Sequence, residues 1–134
     1  MTTAHRDYSS TPLPRKLGIE PGMRVALIGA PARFADHFED AVVRTRLSGS
    51  FGVVVAFATS GAALARRIDA LVAALEPRGG LWLAWPKRAS GVPTDLDERT
   101  VRETGLATGL VDNKVCAIDA TWSALRFVRR RDPR

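Results

Sequence analysis

The stretch Pro21–Gly29, PGMRVALIG, decides how the rest of the chain is read. Pro21 and Gly22 make a turn, and Arg24–Gly29 follows as a near-continuous apolar run ending on glycine. Apolar side chains on both faces suit a strand inside a parallel sheet that is covered on both sides. The next residues, Ala30-Pro31-Ala32-Arg33-Phe34, break the strand and supply no further glycine. A backbone that closes around a nucleoside phosphate needs such glycines. The opening is therefore a ligand-binding skeleton without the usual ligand loop.

Outward from this strand the pattern alternates. Thr11–Ile19 predicts one short helical turn, with Leu13, Leu17 and Ile19 as anchors. Residues 33–39 predict a short helix or an irregular connection, and 41–47 a second strand whose Arg44-Thr45-Arg46 marks an edge or a wet face. Ser48-Gly49-Ser50 is a turn, and Phe51–Ala58 is the strongest strand in the chain. Ser60 is a good N-cap for a helix in which Leu64, Ile68, Leu71, Val72 and Leu75 recur at helical spacing. Pro77-Arg78-Gly79-Gly80 ends that helix and leads into a buried strand, Leu81–Trp85. Lys87–Pro93 is a loop, and Thr94 or Asp95 caps a helix to about Thr108, weakened near its end by Gly105 and Gly109. Val115–Asp119 and Ala124–Arg130 close the chain as a hairpin across residues 120–123. The alternation predicts an α/β fold: a three-layer Rossmann-like sheet, mostly parallel, with a C-terminal antiparallel hairpin.

At 134 residues the length suits one compact domain, expected over 12–130, between a flexible segment at 1–11 and a basic tail at 131–134. No apolar run approaches the ~20 residues of a membrane span, and residues 1–16 contain no apolar signal core. Cys116 is the single cysteine and there are two histidines, which leaves no internal disulfide and no metal-ligand cluster. A bacterial-type cytoplasmic protein is the simplest expectation. The net charge of +6 comes from seventeen arginines and three lysines against fourteen acids, and favours anionic partners through long-range attraction. Arg126–Arg131 is the densest basic run, but aromatics for base stacking make up only 7% of the chain.

The order of elements resembles the Rossmann-like fold of adenosylmethionine-dependent methyltransferases. The matching stretches are Pro21-Gly22 before strand one, Phe51–Val55 before a helix, and Leu75-Glu76-Pro77-Arg78-Gly79-Gly80 before a late strand. The terminal pair matches the family's antiparallel pair. Three features depart from the family. Only Gly29 remains of its glycine-rich acidic loop, Arg44 and Arg46 stand where a ribose-binding carboxylate belongs, and a helix and a strand are missing between Leu47 and Phe51. The chain as a whole resembles a family of short bacterial proteins designated domain of unknown function 3052, through YSSTPLPRKLGI, WPKRASGVPTDL and GLVDNKVCAIDATWSALRFVRR. That resemblance implies a stand-alone domain and no particular activity.

The segment Trp85–Asp95 carries the candidate site. It follows a central strand, where open α/β sheets bind ligands, and precedes a helix N-terminus, where free N–H groups favour anions. Lys87, Arg88, Ser90, Gly91 and Thr94 are candidate contacts for a phosphate or carboxylate, with Gly29 at the end of the first strand. Thr94 and Asp97 also serve as ordinary capping residues. Asn113 and Lys114 are candidates for the wall of the same site, although Asp112-Asn113 is also common turn chemistry. Ser90 beside Lys87 as base is a conceivable nucleophile without an oxyanion hole. Cys116 is expected to be a buried thiol, and Trp85 and Trp122 are the tryptophans best placed for a planar ligand.

The residues make no recognisable catalytic or metal-binding set. They point to a non-catalytic, methyltransferase-like domain that binds an anionic small molecule or a protein partner. The alternatives are a divergent methyltransferase using adenosylmethionine, which the missing carboxylate disfavours, and a nucleic-acid-associated protein using the basic C-terminus.

Overall fold

A computed structural model of the chain describes residues 11–130. The expected flexible segment, apart from Thr11, and the basic tail lie outside the described residues. Six strands form one sheet in the order β2-β1-β3-β4-β6-β5. They are β1 (Arg24–Ile28), β2 (Val42–Arg44), β3 (Phe51–Phe57), β4 (Leu75–Pro86), β5 (Leu110–Ala117) and β6 (Trp122–Arg129). β1 to β4 are mutually parallel, and β6 runs antiparallel to both β4 and β5. The fold is thus a mostly parallel α/β sheet closed by an antiparallel pair, as the alternation predicts.

Each face of the sheet has its own core. On one face α2 (Gly61–Ala73) and α3 (Glu98–Leu106) bury Leu64, Ile68, Leu71 and Val101 against Ala26, Ile28, Val54, Leu83 and Phe127. On the other, α1 (Leu13–Leu17) and a 3-10 helix at Phe34–Phe38 cover Val25, Leu27, Val53, Val55 and Trp82. This two-sided burial explains why the central strands read as continuous apolar runs. A strand with one wet face would alternate instead.

Several boundaries differ from the sequence reading. Leu75 is in β4 rather than α2: the helix ends at Ala73, and Leu75 pairs with Phe51. Residues 76–79 then bulge before Gly80 resumes the pairing opposite Val53. The helical spacing at Leu75 is a coincidence of burial, since strand and helix place it in the same core. β2 spans three residues rather than the expected seven, and it is an edge strand. Arg24 is the reason the chain turns after it, because its guanidinium donates to the carbonyls of Ser48 and Ser50 and stacks over Phe51. β5 begins at Leu110, so Asp112, Asn113 and Lys114 are strand residues with a bulge between Asp112 and Lys114, not a turn. The reversal falls instead at 118–121, where Asp119 accepts from the N–H groups of Thr121 and Trp122.

Candidate functional site

β1, β3 and β4 all end at one edge of the molecule, and two concavities lie there. A cavity of about 660 Å³ lies beyond the end of β4. Its walls are Trp85 to Arg88, the 91–98 connection into α3, and Ser123 of β6. Of the residues read from the sequence, Lys87, Arg88, Gly91 and Thr94 line it.

The connection is built from its own hydrogen bonds. Thr94 donates its hydroxyl to the Thr59 carbonyl (2.6 Å) and accepts from the Leu96 N–H (3.0 Å). Asp95 accepts from the Gly61 N–H at the start of α2 (2.8 Å). The cap of α3 is neither of these but Asp97, in a reciprocal capping box with Thr100. Thr94 and Asp95 point back to β3 and α2, so they clamp the loop across the sheet instead of starting the helix. At both helix starts side chains of the protein take up N–H groups: Thr100 donates to the Asp97 carboxylate in α3, and Gly61 and Ala63 donate to Asp95 and Ser60 in α2.

The charges of the cleft are unequally committed. Glu98 is paired with Arg102 (2.8 Å), which also holds Asp112 (2.9 Å). Asp95 and Asp97 are occupied by backbone N–H groups as described. Lys87 and Arg88 have no ion pair among the described residues. Ser90 does not line the cleft. Its hydroxyl donates to the Lys87 carbonyl (2.7 Å) and accepts from the Val92 N–H (3.2 Å), which shapes the loop.

Gly29 lies in a separate concavity of about 320 Å³ at the ends of β1 and β2, with Ala30, Pro31, Arg33, Phe34 and Thr45. Gly29 has φ 69°, and a Cβ there would come 3.0 Å from the Phe57 carbonyl oxygen, so glycine lets β1 leave the sheet beside β3. Thr45, directly after β2, occupies the position where the sequence reading looked to Arg44 and Arg46. The strand ends three residues earlier than expected, which is why Thr45 was missed. Arg33 is tied to Asp36 (3.0 Å). Phe34 packs edge-on against Phe57, which in turn meets Trp122 edge-on. Trp122 is therefore a packing residue here, whereas Trp85 does line the larger cleft.

Asn113 and Lys114 do not join either concavity. They sit within β5, away from the ends of the parallel strands, and Asn113 lines a groove with Arg126. Cys116 is half-buried in β5, and burial pushes its thiol above the ordinary value.

Asp97 and Asp112 give the chain a defined acid response. The Thr100 N–H lowers the Asp97 carboxyl below the ordinary 3.8, and the Arg102 guanidinium lowers Asp112 likewise. Both groups bind protons less readily folded than unfolded. Their stabilisation is complete above the ordinary aspartate range and is lost as pH falls through the depressed folded values. Melting temperatures followed from neutral pH down should drop below about pH 4. Asp112→Asn should melt lower at neutral pH and show a smaller acid-induced drop than the parent protein.

No protein-family model matches the chain, and no curated protein matches it. The resemblance to domain of unknown function 3052 rests on the sequence segments alone. Solved structures do match in fold. N-methyltransferase NodS from Bradyrhizobium japonicum WM9 is 15% identical with a TM-score of 0.58, covering 89% of this chain and 93% of that one. A putative type 11 methyltransferase from Sulfolobus solfataricus is 13% identical with a TM-score of 0.57, covering 90% and 91%. Magnesium protoporphyrin IX methyltransferase from Synechocystis PCC 6803, with bound SAH, is 11% identical with a TM-score of 0.56, covering 82% and 75%. At these identities the likeness is one of fold: the sheet is methyltransferase-like. No helix among the described residues is long and apolar enough to cross a membrane.

Proposed function

We propose that this chain is a non-catalytic ligand-binding domain on a methyltransferase-like scaffold, and that it takes a small carboxylate- or phosphate-bearing molecule in the cleft beyond β4. One observation carries this reading. Every carboxylate of that cleft is held by a partner within the protein, while Lys87 and Arg88 are left with no ion pair among the described residues. An anion entering there meets two cations that form no ion pair among the described residues, with Trp85 as an apolar wall.

Adenosylmethionine does not suit the concavity at the ends of β1 and β2. Its ribose hydroxyls and its cationic sulfonium and amino groups call for acceptors. The lining there contributes Arg33 and Thr45 and no carboxylate. The nearest acid in sequence, Asp36, is already paired with Arg33. The fold likeness favours a methyltransferase as the second reading, and binding measurements separate the two.

Calorimetric titration at low salt with citrate, phosphate, adenosylmethionine and adenosylhomocysteine is the test. The proposal expects citrate or phosphate to bind and adenosylmethionine to give no saturable heat. Lys87→Ala with Arg88→Ala should weaken the anion by about tenfold or more, as expected for loss of charge-assisted hydrogen bonds. Unchanged affinity in the double variant would remove this loop from consideration. Saturable micromolar binding of adenosylmethionine would replace the proposal with the methyltransferase reading.

A further inference from the structure

On the sheet face opposite α2 and α3, the β5–β6 pair carries a groove of about 540 Å³ that the cleft beyond β4 does not reach. Arg78, Arg126, Arg129 and Arg130 line it together with Asn113, over a floor that includes two valines. No carboxylate among the described residues lines it. It lies toward the end of β6, and so toward the opposite edge of the sheet from Lys87.

Three details argue against an ordinary solvated basic face. First, Arg126 is half-buried yet has no ion pair among the described residues; its side-chain partner is the Asn113 Oδ1 at 3.5 Å. Burial without a counter-charge disfavours the guanidinium and pushes its pKa down. Second, Arg126 lies flat across the backbone of β4 at Gly80. A Cβ on Gly80 would come 2.6 Å from its Nε and 2.8 Å from its Nη2, so a missing side chain makes the seat for this guanidinium. Third, Lys114 stands directly opposite Arg126 in the β5–β6 register. Like charges facing each other across an antiparallel pair are destabilising. A bound anion removes both costs, the uncompensated burial and the facing like charges, at once.

We infer that this groove is a second anion site, and that its ligand is a short chain of phosphates of the inorganic triphosphate type. Guanidinium forks match phosphate oxygens in pairs, and several arginines converging in one concavity suit a compact, multiply charged anion. Arg129 is committed elsewhere, its guanidinium donating to the carbonyls of Val72 in α2 and Leu75 at the start of β4, so the cations left for an anion in the groove are Arg78, Arg126 and Arg130. Among the described residues the groove presents no aromatic ring on which a base would stack, which sets it apart from a single-stranded nucleic-acid track. The inference does not depend on the cleft beyond β4, because the two sites share no lining residue.

The test is calorimetric titration of the full chain with inorganic triphosphate at low ionic strength, with thermal melting of every variant. The Lys87→Ala, Arg88→Ala protein, in which the cleft beyond β4 is disabled, should bind saturably, one anion per chain, and the groove variants are made in that background. Arg78→Gln and Arg126→Gln should each weaken binding by about tenfold. Arg78 is exposed, so Arg78→Gln carries the test if Arg126→Gln disturbs folding. Absence of saturable binding by the parent protein would overturn the inference, as would full affinity in Arg78→Gln. So would loss of binding in the Lys87/Arg88 variant, which would assign the triphosphate to the other cleft. Binding of a single-stranded oligonucleotide that triphosphate does not displace would reassign the surface to nucleic acid.

Discussion

Trp82→Ala should destabilise the fold by about 3–5 kcal/mol, the range for truncating a large aromatic in a packed core. The melting temperature should fall on the order of 10–20 °C. Trp82 is fully buried in β4, on the face covered by α1 and the 3-10 helix. Its indole N–H donates to the Leu17 carbonyl at 3.0 Å, and Leu17 is itself fully buried. The alanine variant therefore loses the ring from the core and also orphans a buried carbonyl at the end of α1. Trp82→Phe separates the two effects. It keeps most of the apolar volume and should cost about 1–3 kcal/mol, the penalty of an unsatisfied buried acceptor. Thermal or denaturant unfolding of the two variants is the measurement, and equal losses in both would show that ring volume contributes nothing. The expected consequence is specific to α1, whose amides should exchange faster in both variants.

Gly105→Ala should destabilise by about 1–3 kcal/mol, against the direction of helix propensity. In an exposed helix the same change stabilises by about 1 kcal/mol, because alanine restricts the unfolded chain and suits the helix better. Gly105 is buried on the inner side of α3, flat against the ring of Phe127. A Cβ there would lie 2.6 Å from Phe127 Cδ2, with Cε2 and Cζ closer still. Phe127 is fully buried in β6 and has no open space to retreat into. Helix and sheet must therefore separate, or the ring must leave its rotamer. Phe127→Leu made together with Gly105→Ala should cost less than the sum of the single changes, because the smaller side chain makes room. A melting temperature for Gly105→Ala above that of the parent protein would show that the helix is governed by propensity rather than by packing.

Gly105 shows how a local reading can name a residue correctly and miss its purpose. From sequence it weakens a helix; in the fold it is the place where helix and strand meet. The same holds for Gly80, which reads as part of a turn and serves as the seat of Arg126. Asp95 reads as a cap for the helix that follows it, yet its carboxylate crosses to α2. In each case the partner lies on another element, and no spacing along the chain encodes it. The candidate site divided for a similar reason. Lys87, Arg88, Gly91 and Thr94 are close in sequence and stay together around one cleft. Gly29 and Asn113 belong to other strands, and strand order places them in other concavities.

The sequence by itself determined the fold class. Continuous apolar runs at β1, β3 and β4, interrupted by an amphipathic helix, require a sheet buried on both faces, and the missing glycines after Gly29 are a local fact of the chain. Only the tertiary structure decided which charges are paired. The commitment of Asp95, Asp97 and Glu98, and the lack of an ion pair at Lys87, Arg88 and Arg126 among the described residues, depend on distances between side chains. Hydrophobic periodicity is a property of neighbours along the chain, so it survives in one dimension. Charge pairing falls off with distance in space, so it is set only when the strands have been ordered and the two faces covered.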